Sequence, residues 1–303
     1  TLNNTINNAQ ILVDAGGGSD VVNVVGARVT TLTVRGGTDA ANDFLDIFDA
    51  TMPTNVVGGT VFADRIVRDT AVPLDVFYSG FSSVNWNQQN QQNAIVVRGI
   101  SADIAPNFQF AIIGNSVDDF LEVHTQDAAG NPTILGNLSF SGNGGPDAIQ
   151  VFAGPTAESF RFYDAFGGGS TAYLGSNGPR WIAIAAGVET IQVHGGAQND
   201  SFAVEKYAQG GSLSLFGGGG NDTCTIGNGD LSADLTSASA FTFDGQTGTS
   251  DTFVISNIAT TTSWDYRLST GSAIAQRVST AYSWTTGLQG VEKQIVNAGS
   301  ARD

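Results

Sequence analysis

The sequence repeats one short pattern, an aspartate that follows a glycine-rich turn. In most copies the turn lies between two stretches of alternating apolar and polar residues, as in LSLFGGGGNDTCTI. The eight recurring aspartates are Asp20, Asp43, Asp119, Asp147, Asp200, Asp222, Asp251 and Asp303. Such repetition favours a stack of similar units, each of which buries its apolar face on its neighbours.

A longer period contains the short one. Asp43, Asp147 and Asp251 are 104 residues apart, and Asp119 precedes Asp222 by 103 residues. The 303 residues therefore divide into three tandem super-units at about 1–95, 96–190 and 191–293, with 294–303 beginning a further one. We expect residues 1–303 to form one continuous domain.

The alternation predicts strands on both sides of each turn. The second and fourth residues after each aspartate are nearly all apolar, as in Ile149 and Val151, and a second apolar pair precedes most turns. A period of two places these side chains on one face of a strand, and Cys224 falls in the same inward position.

These strands predict an all-β fold, a right-handed parallel β-helix (a solenoid) of about twelve coils. Each super-unit would contribute about four coils, two of them in its longest step, the 52 residues from Asp251 to Asp303. The alternative is three tandem β-sandwich domains of about a hundred residues each. Because the turn motif recurs within each super-unit, we favour the solenoid.

The charge of the chain limits its partners. It carries 28 acidic residues against 12 lysines and arginines, a net charge of −16. Nucleic acid and anionic membranes are therefore unfavourable partners, whereas cations are favourable ones. A single cysteine allows no intrachain disulfide, and no stretch has the ~18–20 apolar residues that insertion into a membrane requires. The low lysine content and high acidity are typical of an extracellular or bacterial cell-surface protein.

The turn at residues 217–222, GGGGND, matches the spacing G-G-x-G-x-D. It resembles the calcium-binding turns of haemolysin-type (RTX) repeats and the tandem arrays of large bacterial surface proteins. The resemblance implies a parallel β structure with calcium as cofactor. Its implied ligands are Asp20, Asp43, Asp119, Asp147, Asp200, Asp222 and Asp251. The other turns depart from the motif, since GGAQND has Gln198 at the third glycine and GNGGPD has Asn143 and Pro146.

A second interpretation of the aspartates needs no metal. Each carboxylate can cap its own turn by accepting backbone N–H groups, with Asn199 and Asn221 forming amide ladders beside it. Unpaired like charges ~5 Å apart on neighbouring coils would instead favour a bound cation. The sequence leaves both interpretations open.

Catalytic chemistry has little support in the sequence. The strongest cluster for a polysaccharide lyase or glycoside hydrolase is Arg161, Tyr163, Asp164 and Arg180. His124 and His194 lie beside inward positions and should face solvent. The tryptophans, Trp86, Trp181, Trp264 and Trp284, are either core residues or platforms for a polysaccharide. Because the acidic residues are spread evenly, we expect no enzymatic activity.

The two ends of the chain are in register with each other. Asp303 read directly into Thr1 continues the pattern, as Asp200 continues into Ser201. We therefore expect head-to-tail stacking, either between copies or with adjacent repeats of a longer chain. The expected interface residues are Thr1, Leu2, Ile6, Ile11, Val13, Val291, Ile295, Val296 and Asp303. The predicted function is a structural extracellular rod or filament subunit; the alternatives are a carbohydrate-binding or polysaccharide-cleaving β-helix and an adhesin stalk.

Overall fold

The computed structural model describes residues 2–3, 10–25, 31–37, 42–49, 58–68, 74–88, 93–101, 109–163, 172–175, 181–185, 187–207, 211–235, 240–278 and 282–300. They form an all-β structure with one short helix, α1 (Leu231–Asp234). Two compact units are present. The N-terminal unit comprises 1–127, 131–149 and 180–188, and the C-terminal unit comprises 128–130, 150–179 and 189–303.

Twenty-seven strands occur in the described residues. The first fourteen are β1 (Leu2–Asn3), β2 (Gln10–Asp14), β3 (Val21–Val25), β4 (Thr31–Arg35), β5 (Phe44–Phe48), β6 (Gly58–Val61), β7 (Arg65–Arg68), β8 (Leu74–Ser79), β9 (Ser83–Asn87), β10 (Asn93–Val97), β11 (Gln109–Ile113), β12 (Asp119–His124), β13 (Asn137–Ser141) and β14 (Ala148–Phe152). The others are β15 (Ser159–Tyr163), β16 (Ala172–Gly175), β17 (Trp181–Ile184), β18 (Thr190–His194), β19 (Ser201–Val204), β20 (Ser212–Phe216), β21 (Thr223–Ile226), β22 (Ala240–Asp244), β23 (Thr252–Ser256), β24 (Trp264–Ser269), β25 (Ser272–Arg277), β26 (Ser283–Gln289) and β27 (Lys293–Asn297).

The N-terminal unit has two sheets, between which the chain passes back and forth. Their strand orders are β1-β3-β5-β9-β11-β13-β17 and β2-β4-β8-β7-β6-β10-β12. Neighbouring strands are parallel except at β6–β7 and β7–β8. The predicted inward side chains form the core, with Leu45 and Ile47 both fully buried.

The C-terminal unit repeats this arrangement. Its sheets are β16-β15-β19-β21-β23-β27 and β18-β20-β22-β26-β25-β24. The pairs β15–β16, β24–β25 and β25–β26 are antiparallel, and the pairs that join β19, β21, β23 and β27 are parallel. Cys224 is buried in the core as expected. Parallel ladders in both units differ from the antiparallel sheets of β-sandwich domains.

The longest step of each super-unit differs from the prediction. We expected two further parallel coils, but the first and third copies contain three-stranded antiparallel inserts, β6–β7–β8 and β24–β25–β26. The strands of an insert pair with one another before the ladder resumes, at β10 on β6 in the first copy. The sheets are therefore mixed, and in these two copies the longest step does not consist of two parallel coils.

The strands repeat in sets of nine, and successive sets begin in opposite sheets. The set β4–β12 recurs as β13–β21, and β22–β27 begins a third. Within the N-terminal unit, β4 and β13 belong to different sheets although they open equivalent sets. The chain changes sheet after every strand except within an insert, whose three strands all belong to one sheet. A set of nine strands therefore visits the two sheets seven times in alternation. Because seven is an odd number, the next set begins in the other sheet.

Candidate functional site

A run of acidic residues links successive strands of the C-terminal unit. The backbone N–H of each residue donates to a carboxylate oxygen of the next: Glu158 to Asp200 at 2.6 Å, then Asp200 to Asp222, Asp222 to Asp251 and Asp251 to Glu292, each at 2.7 Å. We call these five residues the carboxylate ladder. It joins every strand of the sheet from β15 to β27.

In the described part of the N-terminal unit, rungs of the same kind occur in both sheets. Asp20 N–H donates to Asp43 Oδ1 and Asp119 N–H donates to Asp147 Oδ1, both at 2.8 Å. Beyond Asp43 the next strand carries Ser82, whose N–H and hydroxyl both donate to the Asp43 main-chain oxygen. Without an acidic side chain at this position, the ladder stops.

The glycines of the motif make room for the carboxylates. A Cβ atom at Gly217 would collide with Asp222 Oδ2 and lie 2.8 Å from the carbonyl oxygen of Gly245. At Gly195 it would lie 2.6 Å from Asp200 Oδ2. The second carboxylate oxygen thus occupies the place of a missing side chain, which explains why these positions are glycine although no positive φ requires it.

The ladder places buried carboxylates next to one another. The Asp222 side chain is buried. This burial, together with the nearby carboxylates of Asp200 and Asp251, raises the pKa of Asp222 to about 6. The hydrogen bond from the Asp200 N–H acts in the opposite direction and lowers it. Burial also raises the pKa values of Asp200 and Asp251. Both Asp222 Oδ2 and Asp251 Oδ2 are buried without a hydrogen-bond partner.

The structure describes all seven turn aspartates. The capping interpretation fits Asp119 and Asp200, where Oδ2 accepts a backbone N–H within its own turn. Oδ1 accepts an N–H from the neighbouring strand at Asp43, Asp147, Asp200, Asp222 and Asp251. Asn199 Oδ1 accepts the backbone N–H of Asn221. The expected amide ladder beside the aspartates therefore joins a side chain to the backbone at this step, not one side-chain amide to another. Among the described residues, no three His, Cys, Asp or Glu side chains come together as a metal site. Calcium binding stays a prediction.

The residues considered for catalysis are only partly described. Arg161 pairs with Glu205, with Nη2 2.6 Å from Oε2, and its guanidinium lies 4.8 Å from the centre of the Tyr163 ring. Asp164 and Arg180 lie outside the described residues. The exposed Arg161 side chain thus has a surface ion pair and a ring contact of its own.

Both histidines lie at outward positions, as expected, but neither is simply solvated. His194 stacks between Phe152 and Phe216, with ring centroids 4.6 and 4.5 Å apart, and burial lowers its pKa. His124 Nε2 lies 2.5 Å from Glu122 Oε1. The sequence contained a signal for this stack, because Phe152, His194 and Phe216 each occupy the last position of a strand in the repeated pattern.

The tryptophans are mainly core residues. Trp86, Trp264 and Trp284 are buried, and Trp181 is half-buried. Trp86 Nε1 donates to Asp49 Oδ2 at 2.7 Å, and Arg68 Nη1 donates to Asp49 Oδ1. Asp49 and Arg68 are both fully buried, and sequence analysis missed this pair because nothing in the pattern marks β7 as an inserted strand.

The predicted interface residues lie at the outermost strands where they are described. Ile11 and Val13 of β2 are half-buried, as are Val291, Ile295 and Val296 at β27. Leu2 belongs to β1, whereas Thr1, Ile6 and Asp303 lie outside the described residues. Equivalent inward positions one strand further in, Leu32 and Val34, are fully buried.

No protein-family model matches this sequence, and no curated protein is significantly similar to it. The likeness to haemolysin-type repeats therefore rests on the turn motif alone. No helix in the described part of the chain is long and apolar enough to span a membrane.

Proposed function

We propose that this chain is a structural repeat protein of the cell exterior, a rod or filament subunit that stacks head to tail. Its fold in this proposal is a right-handed β-solenoid with antiparallel inserts. The supporting observation is the repeated parallel register: β19, β21 and β23 pair residue for residue, and the carboxylate ladder repeats the same hydrogen bond at each step. Such a stack gains one more rung from every added strand.

The half-buried residues at the outermost strands support stacking over a closed particle. Solenoids usually end in atypical repeats that block further pairing. Here β2 keeps the inward apolar pattern of the interior with Ile11 and Val13, and β27 keeps it at Val296, where the other inward position is Gln294. An added strand would complete the burial of these side chains.

A carbohydrate-binding function is less well supported. The Phe152, His194 and Phe216 rings lie on one another at 4.5–4.6 Å with interplanar angles of 8–11°. Sugars bind an aromatic ring through its open face, and in this stack both faces of the His194 ring are covered. An adhesin stalk would use the same stacking as the filament, and calcium would stiffen either one.

Negative-stain electron microscopy of the purified chain in millimolar calcium tests the proposal. The proposal predicts long fibres in which strands repeat every ~4.8 Å along the axis. Sedimentation should show assembly that increases with protein concentration. Discrete monomers at every concentration, in both measurements, would overturn the filament proposal.

A further inference from the structure

The C-terminal unit has two edge strands, β24 and β27. In the described residues β24 pairs only with β25, and β27 pairs only with β23. β25 is antiparallel to β26, and β24 is antiparallel to β25, so β24 has the same direction as β26. Both edge strands are therefore parallel to the other strands of the ladders. Each edge presents backbone N–H and C=O groups to a further strand.

The nine-strand pattern identifies the strand that follows at each edge. β27 is the equivalent of β9 and β18, and these pair with β11 and β20. β24 is the equivalent of β6 and β15, and these pair with β10 and β19. The next strand on β27 should therefore resemble β11 and β20, and the next strand on β24 should resemble β10 and β19.

The chain contains both of these strands at its other end. β2 precedes the turn of Asp20 as β20 precedes the turn of Asp222, and it pairs with β4 as β20 pairs with β22. β1 pairs with β3 as β19 pairs with β21. The strands β1, β2 and β3 thus supply the three that β22–β27 lacks for a set of nine.

We propose that β27 of one molecule pairs in parallel with β2 of a second copy of this chain, and that β24 pairs with β1 of that copy. This inference rests on the proposed head-to-tail function and fixes its register. The pairing of β18 with β20 sets Gln192 opposite Ser214 and Val193 opposite Leu215. Transferred to the interface, it sets Ile295 opposite Leu12 and Val296 opposite Val13 of the second copy.

Side chains at the two edges fit this register. Leu12 points outward and is 59% exposed, and it would cover the half-exposed Ile295. Outward pairs inside the structure are of both kinds, since Gln150 and Gln192 form a polar pair with amides 2.7 Å apart and Val254 and Ile295 form an apolar one. A matched apolar pair at the two edges is what a buried contact between copies requires.

One inward position at the edge is polar. Gln294 Nε2 donates to the main-chain oxygen of Ser269 at 2.6 Å, which links β27 to β24. The register places Gln294 opposite Ile11 of the second copy. The hydrogen bond holds the two edges of one molecule together, so that both present their strands to the same partner.

Cross-linking between copies tests the register. A Lys293→Cys variant and a tagged Gln10→Cys variant are mixed and treated with a short bismaleimide. The matched control replaces Gln10→Cys with Asp14→Cys, four residues and ~13 Å further along β2. Cys224 is buried and shared by all variants. We expect a covalent heterodimer with Gln10→Cys and at least a tenfold lower yield with Asp14→Cys.

The outcomes separate the register from the proposed function. Fibres that form normally but cross-link equally well, or better, through Asp14→Cys would overturn the strand pairing and leave the filament proposal standing. Absence of any assembly in the untreated proteins would overturn both.

A charge exchange gives an independent test. Leu12→Asp should abolish assembly, and Ile295→Lys in the same chain should restore it. Val278→Asp is the control, because Val278 is 66% exposed and lies outside the proposed interface. Equal assembly of Leu12→Asp and Val278→Asp chains would contradict the pairing.

Discussion

The two units use the same turn motif with different results. In the C-terminal unit, acidic residues precede five strands in succession, from Glu158 to Glu292, and their hydrogen bonds join into one ladder. In the N-terminal unit the run that contains Asp20 and Asp43 is broken at Ser82. In the continuous run, burial raises the pKa values of Asp200, Asp222 and Asp251, and the carboxylates of Asp200 and Asp251 add to the rise at Asp222.

The units also differ at the residue that follows the β5 and β23 strands. In the N-terminal unit this is Asp49, held by Arg68 and Trp86, while Arg68 Nε and Nη2 have no hydrogen-bond partner. In the C-terminal unit it is Asn257, whose Oδ1 accepts the Leu231 N–H and whose Nδ2 donates to Tyr266. The buried charged pair thus leaves two guanidinium nitrogens without a hydrogen bond, whereas both polar atoms of the neutral Asn257 side chain are hydrogen-bonded.

Arg68→Met should give the largest effect. It leaves the buried Asp49 carboxylate without its cation, which costs ~3–5 kcal/mol in comparable cases. Urea unfolding followed by tryptophan fluorescence measures the change. The double variant Asp49→Asn with Arg68→Met should recover most of the loss, since the amide oxygen introduced at position 49 can still accept the hydrogen bond from Trp86.

Asn257→Ala provides the matched comparison in the C-terminal unit. It removes two neutral hydrogen bonds and should lower the free energy of unfolding by ~1–3 kcal/mol. Equal losses for Asn257→Ala and Arg68→Met would show that charge does not distinguish the two positions.

Gly217→Ala should lower the free energy of unfolding by ~1–3 kcal/mol, the usual cost of overpacking. Its Cβ would displace the Asp222 carboxylate from the ladder. Gly271→Ala is the control, because a Cβ there meets no atom within 4 Å. Thermal unfolding of the two variants should therefore differ, and equal stability would contradict the space-filling role of the glycine.

Sequence periodicity predicted much of this structure and missed the rest for physical reasons. Inward pairs such as Phe253 and Ile255 were identifiable because a strand exposes alternate residues to opposite faces. The antiparallel inserts were not, since β7 and β25 alternate in the same way as parallel strands. Only long-range pairing, which periodicity does not encode, separates an insert from an added coil.

The sequence likewise predicted part of the candidate site and missed the rest. The spacing of Asp200, Asp222 and Asp251 indicated a column of carboxylates, and the structure joins them. Glu158 and Glu292 were missed because neither follows a glycine-rich turn. Their place in the ladder depends on strand pairing, which the local sequence does not show.

Asp222→Asn should remove a pH dependence from the C-terminal unit. The folded pKa of Asp222, about 6, lies above its ordinary value of 3.8. Its contribution to stability is therefore fully present below pH 3.8 and is lost as the pH rises through 6. Between pH 4 and pH 7.5 we expect this group to lower the free energy of unfolding by ~2 kcal/mol.

Urea unfolding of wild type and Asp222→Asn at both pH values isolates this contribution. The exposed Asp64, changed to Asn, controls for a general loss of charge. The pH step should shrink in Asp222→Asn and persist in Asp64→Asn. A step of unchanged size in Asp222→Asn would show that the ladder is not its source.

Calcium should have the smallest effect and the sharpest difference between the units. Asp222 Oδ2 and Asp251 Oδ2 lie in one continuous ladder and have no hydrogen-bond partner, so a cation there would relieve both burial and repulsion. A site with Kd ~1 mM would stabilise the fold by ~1.4 kcal/mol at 10 mM calcium. The resulting rise in Tm should vanish in the Asp222→Asn, Asp251→Asn double variant and survive Asp43→Asn, which alters a single separate rung. If Tm does not respond to calcium in the wild-type chain, the calcium prediction is wrong and these aspartates act only through their hydrogen bonds between strands.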